Sequence, residues 1–445
     1  MQAVNTLIEI KAIEPKREKL SVLMRMAFLF PVFTGIHAVV DIVISAILLS
    51  CAIVYFKKDQ FILLFPVFLI YSPVLYLYPG GVSWINVFAL LCCLRLILLN
   101  KTLDCRASNI ILILLLLYAA CVYLVYASTY ESVILMMGFV GMWHLISEFN
   151  RNEELKERMM SIFVFMCISS MIYAVMNGNI NMSYDMGSDS GGALDFLGRY
   201  SGTQKDPNYM AFFLCAGFAF SLTQQRLRLW HKVVLCVIMF GAISLTGSMT
   251  ALACSLSTLA FYVLISKKLT GIKRFLLILT SCLLILLIFV FLISEGTGDG
   301  FFGVYRIRLG DIMDSAIKGN FSGATSGRTM LQSRYYDYFR SANLFRQIFG
   351  GYCVNAYLLK GEPFATIGAA PHNTYLDIMF TCGLFGLALF IIAVLIQLRI
   401  CGTKYRNEKK PADLRLLLGK IIWLIFACAI SVFPSWSYLI LLFLL

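Results

Sequence analysis

Runs of about 17–25 apolar residues recur from one end of the chain to the other, the length an α-helix needs to cross the hydrocarbon core of a bilayer. Apolar residues make up 60% of the 445 positions, charged residues only 14%, and the mean hydropathy is +0.82. A soluble chain of this size needs far more charge on its surface. Inside lipid every backbone polar group must be satisfied internally, which leaves helices or a closed barrel. The runs lack the alternating polarity of barrel strands. The expected fold is an all-α polytopic membrane protein with about 12–14 transmembrane helices.

Spans are predicted near 26–37, 40–56, 61–78, 84–99, 107–126, 131–147, 159–176, 209–223, 233–246, 249–266, 275–293, 371–398 and 421–433, with a short terminal run. The first basic segment does not read as a cleaved signal, because no small-residue cleavage site follows its apolar run. The net charge of +13 is spread in short clusters between spans. That is topology rather than a nucleic-acid stripe, and it places the N-terminus on the cytoplasmic side. Arg399, Lys404, Arg406, Lys409, Lys410, Arg415 and Lys420 read as the last inner loop. Arg95 falls within a span, one turn from its inner end, where a long side chain can snorkel to the headgroups. Nearly all the Cys residues lie within apolar runs and read as small buried hydrophobes.

Four regions follow from this pass: N-terminal helices over 1–190, central helices with an outer loop over 191–294, a long outer loop over 295–370, and C-terminal helices over 371–445. The outer loops carry mainly Arg: Arg199, Arg306, Arg308, Arg328, Arg334, Arg340 and Arg346. Lys suffices for topology, whereas the planar fork of Arg suits phosphate and carboxylate.

Three constellations in these loops can carry chemistry. Arg199 stands before Asp206-Pro207-Asn208 at the opening of a span, where the free N–H groups of a helix start suit anions. A capped start with a solvated Arg is the alternative. Ser326-Gly327-Arg328 opens a stretch in which Met330, Leu331, Tyr335, Phe339, Leu344, Phe345 and Ile348 recur at helical spacing. That predicts an amphipathic helix lying on the membrane or capping the spans, with Arg334, Arg340 and Arg346 facing headgroups. The third is Pro371-His372-Asn373-Thr374-Tyr375 at the mouth of the next span. His372 is placed where a general base working near neutral pH is useful. His37, His144 and His231 lie in or beside spans and read as structural.

No Gly-rich nucleotide loop and no pair of His at metal-ligand spacing is present. No cofactor and no metal are therefore expected, and Asp311 with Asp314 reads as a solvated helix face. The few ionisable residues in the spans argue against ion-coupled transport.

In this order, the Arg199 to Asn208 segment, Leu245-Thr246-Gly247-Ser248, Ser326-Gly327-Arg328, Phe349-Gly350-Gly351, Pro371 to Tyr375 and Gly383-Leu384-Phe385-Gly386 resemble the O-antigen polymerase and O-antigen ligase family of bacterial envelope enzymes. The resemblance covers roughly 195–395. Met249 departs from it, standing where the family often carries Arg. The resemblance implies a membrane-embedded glycosyltransferase fold and a polyprenyl-pyrophosphate-linked oligosaccharide donor. It implies chemistry on the outer face of the cytoplasmic membrane without a nucleotide sugar, with a flippase and a chain-length regulator as candidate partners. Arg199 and Arg328 would hold the pyrophosphate and His372 would take the acceptor proton. Asn373 and Tyr375 would orient His372 or the sugar. Arg306, Arg308 and Asn208 complete the candidate substrate contacts. A polymerase is the leading expectation, an O-antigen ligase the next, and a transporter of lipid-linked oligosaccharide the third.

Overall fold

A computed structural model describes residues 21–75, 83–103, 106–126, 129–177, 199–204, 206–224, 227–265, 328–351, 372–431, 433 and 435–444, with isolated positions at 271, 310, 313–314 and 317–318. The helices are α1 (Val22–Leu29), α2 (Ala38–Tyr55), α3 (Phe65–Tyr71), α4 (Trp84–Leu98), α5 (Ala107–Tyr126), α6 (Thr129–Arg151), α7 (Glu153–Met176), α8 (Pro207–Thr223), α9 (Leu229–Leu245), α10 (Met249–Ile265), α11 (Arg328–Ser341), α12 (Leu344–Phe349), α13 (Thr374–Glu408), α14 (Pro411–Ala427), α15 (Trp436–Leu439) and α16 (Leu441–Leu444). The protein is an all-α polytopic membrane protein. Among the described helices α2, α6, α7 and α13 are long and apolar enough to cross a bilayer unaided. The span expected near 275–293, like Arg306, Arg308 and Asp311, lies outside the described residues.

α8 is the axis of the bundle. Asp206 caps it by accepting from the Asn208 N–H at 2.6 Å, and Pro207 occupies the first turn, where its missing N–H costs nothing. Every residue of α8 except Tyr209 is buried. It packs against α7, α9, α10 and α14. Helices apolar on all sides cannot be sorted by hydrophobicity in lipid; close side-chain packing sorts them instead. Lipid-facing apolar residues such as Val125 and Val237 lie on the outer helices.

α13 decides the position of the site. Asn373 caps it, its side chain accepting from Tyr375 N at 3.0 Å and Leu376 N at 3.2 Å. The helix is 35 residues long and is broken at Gly383, which has φ 70° and ψ −174°. From Leu384 to Glu408 the helix still runs about 37 Å, longer than the roughly 30 Å hydrocarbon core. This revises the expected inner loop: Arg399, Lys404 and Arg406 are the last turns of α13, Lys409 and Lys410 form the turn, and Arg415 and Lys420 lie buried inside α14. Lys420 Nζ donates to the Leu442 carbonyl at 2.5 Å, and Arg415 pairs with Glu157 and stands 5.1 Å over the Phe220 ring.

Two further expectations are corrected. Arg95 does not snorkel: it is fully buried, pairs with Asp59 at 3.2 Å and lies over the Phe61 ring at 5.4 Å. The helices also hold more ionisable residues than the apolar runs implied, with Glu148, Lys156, Asp377 and Asp413 all buried. Hydropathy finds only the apolar middle of a helix, whereas these residues sit in end turns, where Glu148 pairs with Lys101 and Asp413 with Lys404.

The predicted amphipathic stretch is two helices. Asn343 breaks it by capping α12, accepting from Arg346 N at 2.9 Å. α11 buries Tyr335 and Phe339 against Met379 and Phe380 of α13, with Tyr335 edge-on to Phe380 at 5.4 Å. It thus caps a span, and Arg334 and Arg340 face outward.

Candidate active site

The segment before α8 lies against the turn between α9 and α10. Tyr200 N donates to the Leu245 carbonyl at 3.0 Å. Arg199 Nε donates to the Thr246 carbonyl at 2.9 Å and its Nη2 to Asn208 Oδ1 at 3.3 Å. Asn208 Oδ1 also accepts from Ser248 Oγ at 3.0 Å. Two separate sequence constellations therefore meet at Asn208. Its amide oxygen is occupied in holding Arg199 and Ser248, so Asn208 orients a cation from beneath.

The same segment is anchored in the interior. Gln204 Nε2 donates to the Ile70 carbonyl at 2.9 Å, and Gln204 Oε1 accepts from the Tyr438 hydroxyl at 3.0 Å. Thr203 N donates to Ser170 Oγ at 2.8 Å. Half-buried Arg199 is thus carried on a backbone fixed at several points rather than on a free loop.

Arg328 opens α11, and its Nη1 donates to the Ala429 carbonyl at 3.2 Å. His372 immediately precedes the cap of α13 and adopts φ 48°. A left-handed backbone costs an L-residue roughly 1 kcal/mol, so this position is held rather than relaxed. Burial, the Arg328 guanidinium and, in opposition, the Asp206 carboxylate act on the imidazole, and the net effect lowers its pKa below the ordinary histidine value. A neutral imidazole is the form that can accept a proton.

Asn373 serves as a cap through its side chain, and its own N–H donates to Ser431 Oγ at 3.3 Å. Tyr375 points its hydroxyl to the Leu424 carbonyl at 3.2 Å and packs edge-on against Phe390 at 6.2 Å. Both therefore brace the start of α13 in this structure. Arg306 and Arg308 lie outside the described residues.

What the sequence reading missed is the turn after α14. Ala429 accepts from Arg328, the Ile430 carbonyl from Thr374 Oγ1 at 2.7 Å, and the Ser431 carbonyl from the Tyr209 hydroxyl at 2.6 Å. Three consecutive residues thus receive groups from α11, α13 and α8. The arrangement brings together two helix N-termini, two guanidinium groups and a neutral imidazole. Oriented N–H groups and planar cations suit an anion with several oxygens, and a base at its edge can move a proton. Asp377 had an available signal: a carboxylate inside a span is by default a functional hypothesis. Nothing in the sequence singles out Ser431 or Ala429, because carbonyl positions follow from packing alone.

Of the other histidines, His37 caps α2 by accepting from Val39 N at 3.2 Å and the His231 ring lies tilted against Trp230 with centroids 3.9 Å apart. His144 is wholly buried.

Residues 234–391 match the family model described as O-antigen ligase. The match supports membership of the O-antigen ligase and polymerase family, in agreement with the resemblance carried by the loop motifs. It spans α9 to the middle of α13, including Arg328 and His372, and leaves Arg199 and the Ala429–Ser431 turn outside. The comparison with curated proteins gave no match.

Proposed function

We propose that this chain, whose residues 234–391 match the family model described as O-antigen ligase, is a polysaccharide polymerase. It transfers a polyprenyl-pyrophosphate-linked glycan to the acceptor hydroxyl of a growing O-antigen, capsular or exopolysaccharide chain. The reaction takes place on the outer face of the cytoplasmic membrane. The observation that carries the reading is the convergence of Arg328, the His372–Asn373 helix start and the Tyr209 end of α8 on the Ala429–Ser431 turn.

In this reading the acceptor oxygen attacks the anomeric carbon as the bond from that carbon to the pyrophosphate oxygen breaks. Direct displacement inverts the anomeric centre. Arg328 and Arg199 stabilise the charge that develops on the leaving pyrophosphate, which removes the need for a metal. His372 takes the hydroxyl proton. Arg306 and Arg308 are assigned, from their charge alone, as further contacts to the lipid-linked phosphates. Asn373 and Tyr375 act by fixing the helix start that carries His372. A flippase supplying the donor and a chain-length regulator are the partners this chemistry calls for.

Ligation of finished glycan to a different acceptor is the second reading, favoured by the description of the matched family model. The purified chain incubated with lipid-linked repeat units separates the two. Longer glycans still attached to the carrier lipid identify a polymerase. Transfer that requires an added, chemically different acceptor identifies a ligase. Movement of the lipid across liposomes without elongation would sink both.

A further inference from the structure

We propose that Ser431 and Asp377 are positioning residues that hold His372 in its working conformation; the inference rests on the reading of His372 as the base. His372 sits in the left-handed region at φ 48°, which costs an L-residue roughly 1 kcal/mol relative to the right-handed form. A constraint is applied one bond away. The Asn373 N–H, which a helix start leaves without a partner inside its own helix, donates to Ser431 Oγ at 3.3 Å. That hydrogen bond fixes the peptide joining His372 to Asn373.

The direction of the hydroxyl is fixed in turn. Ser431 Oγ donates its proton to Asp377 Oδ1 at 3.3 Å. With the proton committed there, the Oγ lone pairs face the Asn373 N–H. Asp377 lies four residues after Asn373, on the same face of α13, so the helix itself sets the spacing. Asp377 is fully buried, and among the described residues its Oδ2 has no hydrogen-bond partner. An incompletely paired buried carboxyl group costs stability and is not needed for the cap, since the Asn373 side chain already caps the helix. The Ser431 carbonyl ties the same residue to Tyr209 of α8, so the chain Asp377–Ser431–Asn373 is referenced to the element that presents Arg199. Neither Ser431 nor Asp377 needs to touch the donor or the acceptor.

The test uses the full chain in detergent, with lipid-linked oligosaccharide extracted from cells that lack this chain as substrate. Rates are measured for Ser431→Ala, Ser431→Thr, Asp377→Asn and Asp377→Leu, and for Ser431→Ala combined with His372→Ala. Misplacement of a reacting group by about 1 Å costs about 100-fold. Ser431→Ala and Asp377→Leu are expected to lower kcat by about 10- to 100-fold with KM unchanged. Ser431→Thr keeps the hydroxyl and Asp377→Asn keeps an acceptor oxygen, so both retain most of the turnover. In the double variant Ser431→Ala adds no further loss, because the group it positions is gone. Wild-type kcat in Ser431→Ala, or a loss that multiplies on the His372→Ala background, overturns the proposal. Should Ser431→Ala fail to accumulate, Ser431→Cys, close in size with a weak hydrogen-bonding group, replaces it under the same two outcomes. Full activity in His372→Ala alone would remove the functional reading itself; a crippled His372→Ala beside a normal Ser431→Ala would remove only the positioning role.

Discussion

Gly350 and Gly383 meet backbone to backbone: a Cβ on either glycine would stand 2.6 Å from the amide nitrogen of the other. Gly351 N donates to the Thr381 carbonyl at 3.1 Å alongside them. The end of α12 is thereby seated in the break of α13, and α11 and Arg328 are fixed relative to His372. Two glycine-containing motifs far apart in sequence are the two halves of one contact.

Gly350→Ala and Gly383→Ala should each unseat this contact. Both residues have positive φ with strongly negative ψ, a conformation glycine alone adopts readily, which costs an alanine about 1–3 kcal/mol, and the clash adds to it. The expected result is a lower thermal midpoint in detergent and reduced polymer. A variant with wild-type melting would show that α12 does not need the break in α13.

Arg328→Lys should lower turnover at least about tenfold, because an ammonium cannot reproduce the bidentate fork on a pyrophosphate. Arg334→Lys and Arg340→Lys, whose side chains are exposed, should be nearly silent. Polymer length and amount at matched expression decide the matter. Equal loss in all three would mean that general surface charge is being read.

His372→Ala should cost about 10²- to 10⁴-fold in turnover, the usual worth of a general base. The base acts when deprotonated. Burial and the Arg328 charge lower its pKa, so the acidic limb of kcat/KM should fall below the ordinary histidine value of about 6.5. Bound pyrophosphate is negative and favours the protonated form, so the limb of kcat should lie at higher pH than that of kcat/KM. A pH–rate profile of purified protein checks both the position and the order of the limbs.

Asn208→Leu should leave Arg199 and Ser248 without their shared acceptor. Losing a hydrogen bond to a charged group costs about 1.5–3 kcal/mol, which corresponds to roughly a 10- to 100-fold loss of donor affinity if Arg199 grips the pyrophosphate. Direct binding of lipid-linked oligosaccharide measures it; unchanged affinity would place Arg199 outside the donor site.

Glu157→Gln should destabilise the protein by about 3–5 kcal/mol, because it leaves Arg415 buried with its charge uncompensated. Thermal unfolding in detergent reads this directly, and replacing both partners by apolar residues should recover much of the loss.

The sequence by itself determined the class of the protein and the identity of its chemical groups. Apolar length forces helices, since lipid offers no partner for the backbone, and the helix start at Asp206-Pro207-Asn208 was legible because capping is a local event among neighbouring residues; the capping role of Asn373 came only from the structure. Arg328 and His372 stood out because the planar fork of Arg suits phosphate and His can act as a base near neutral pH. What only the tertiary structure decided is which carbonyls face which donors. Ala429, Ile430 and Ser431 gather α8, α11 and α13 through backbone oxygens that every residue type carries, so no side chain announces them. Asn208 could be named as a residue of the site, but only the turn at Thr246–Ser248 makes it the support of Arg199 rather than a free contact. Hydropathy likewise stopped the last helices at their apolar middles. The buried pairing of Arg415 with Glu157 arises between helices far apart in the chain, where local sequence carries no record of the partner.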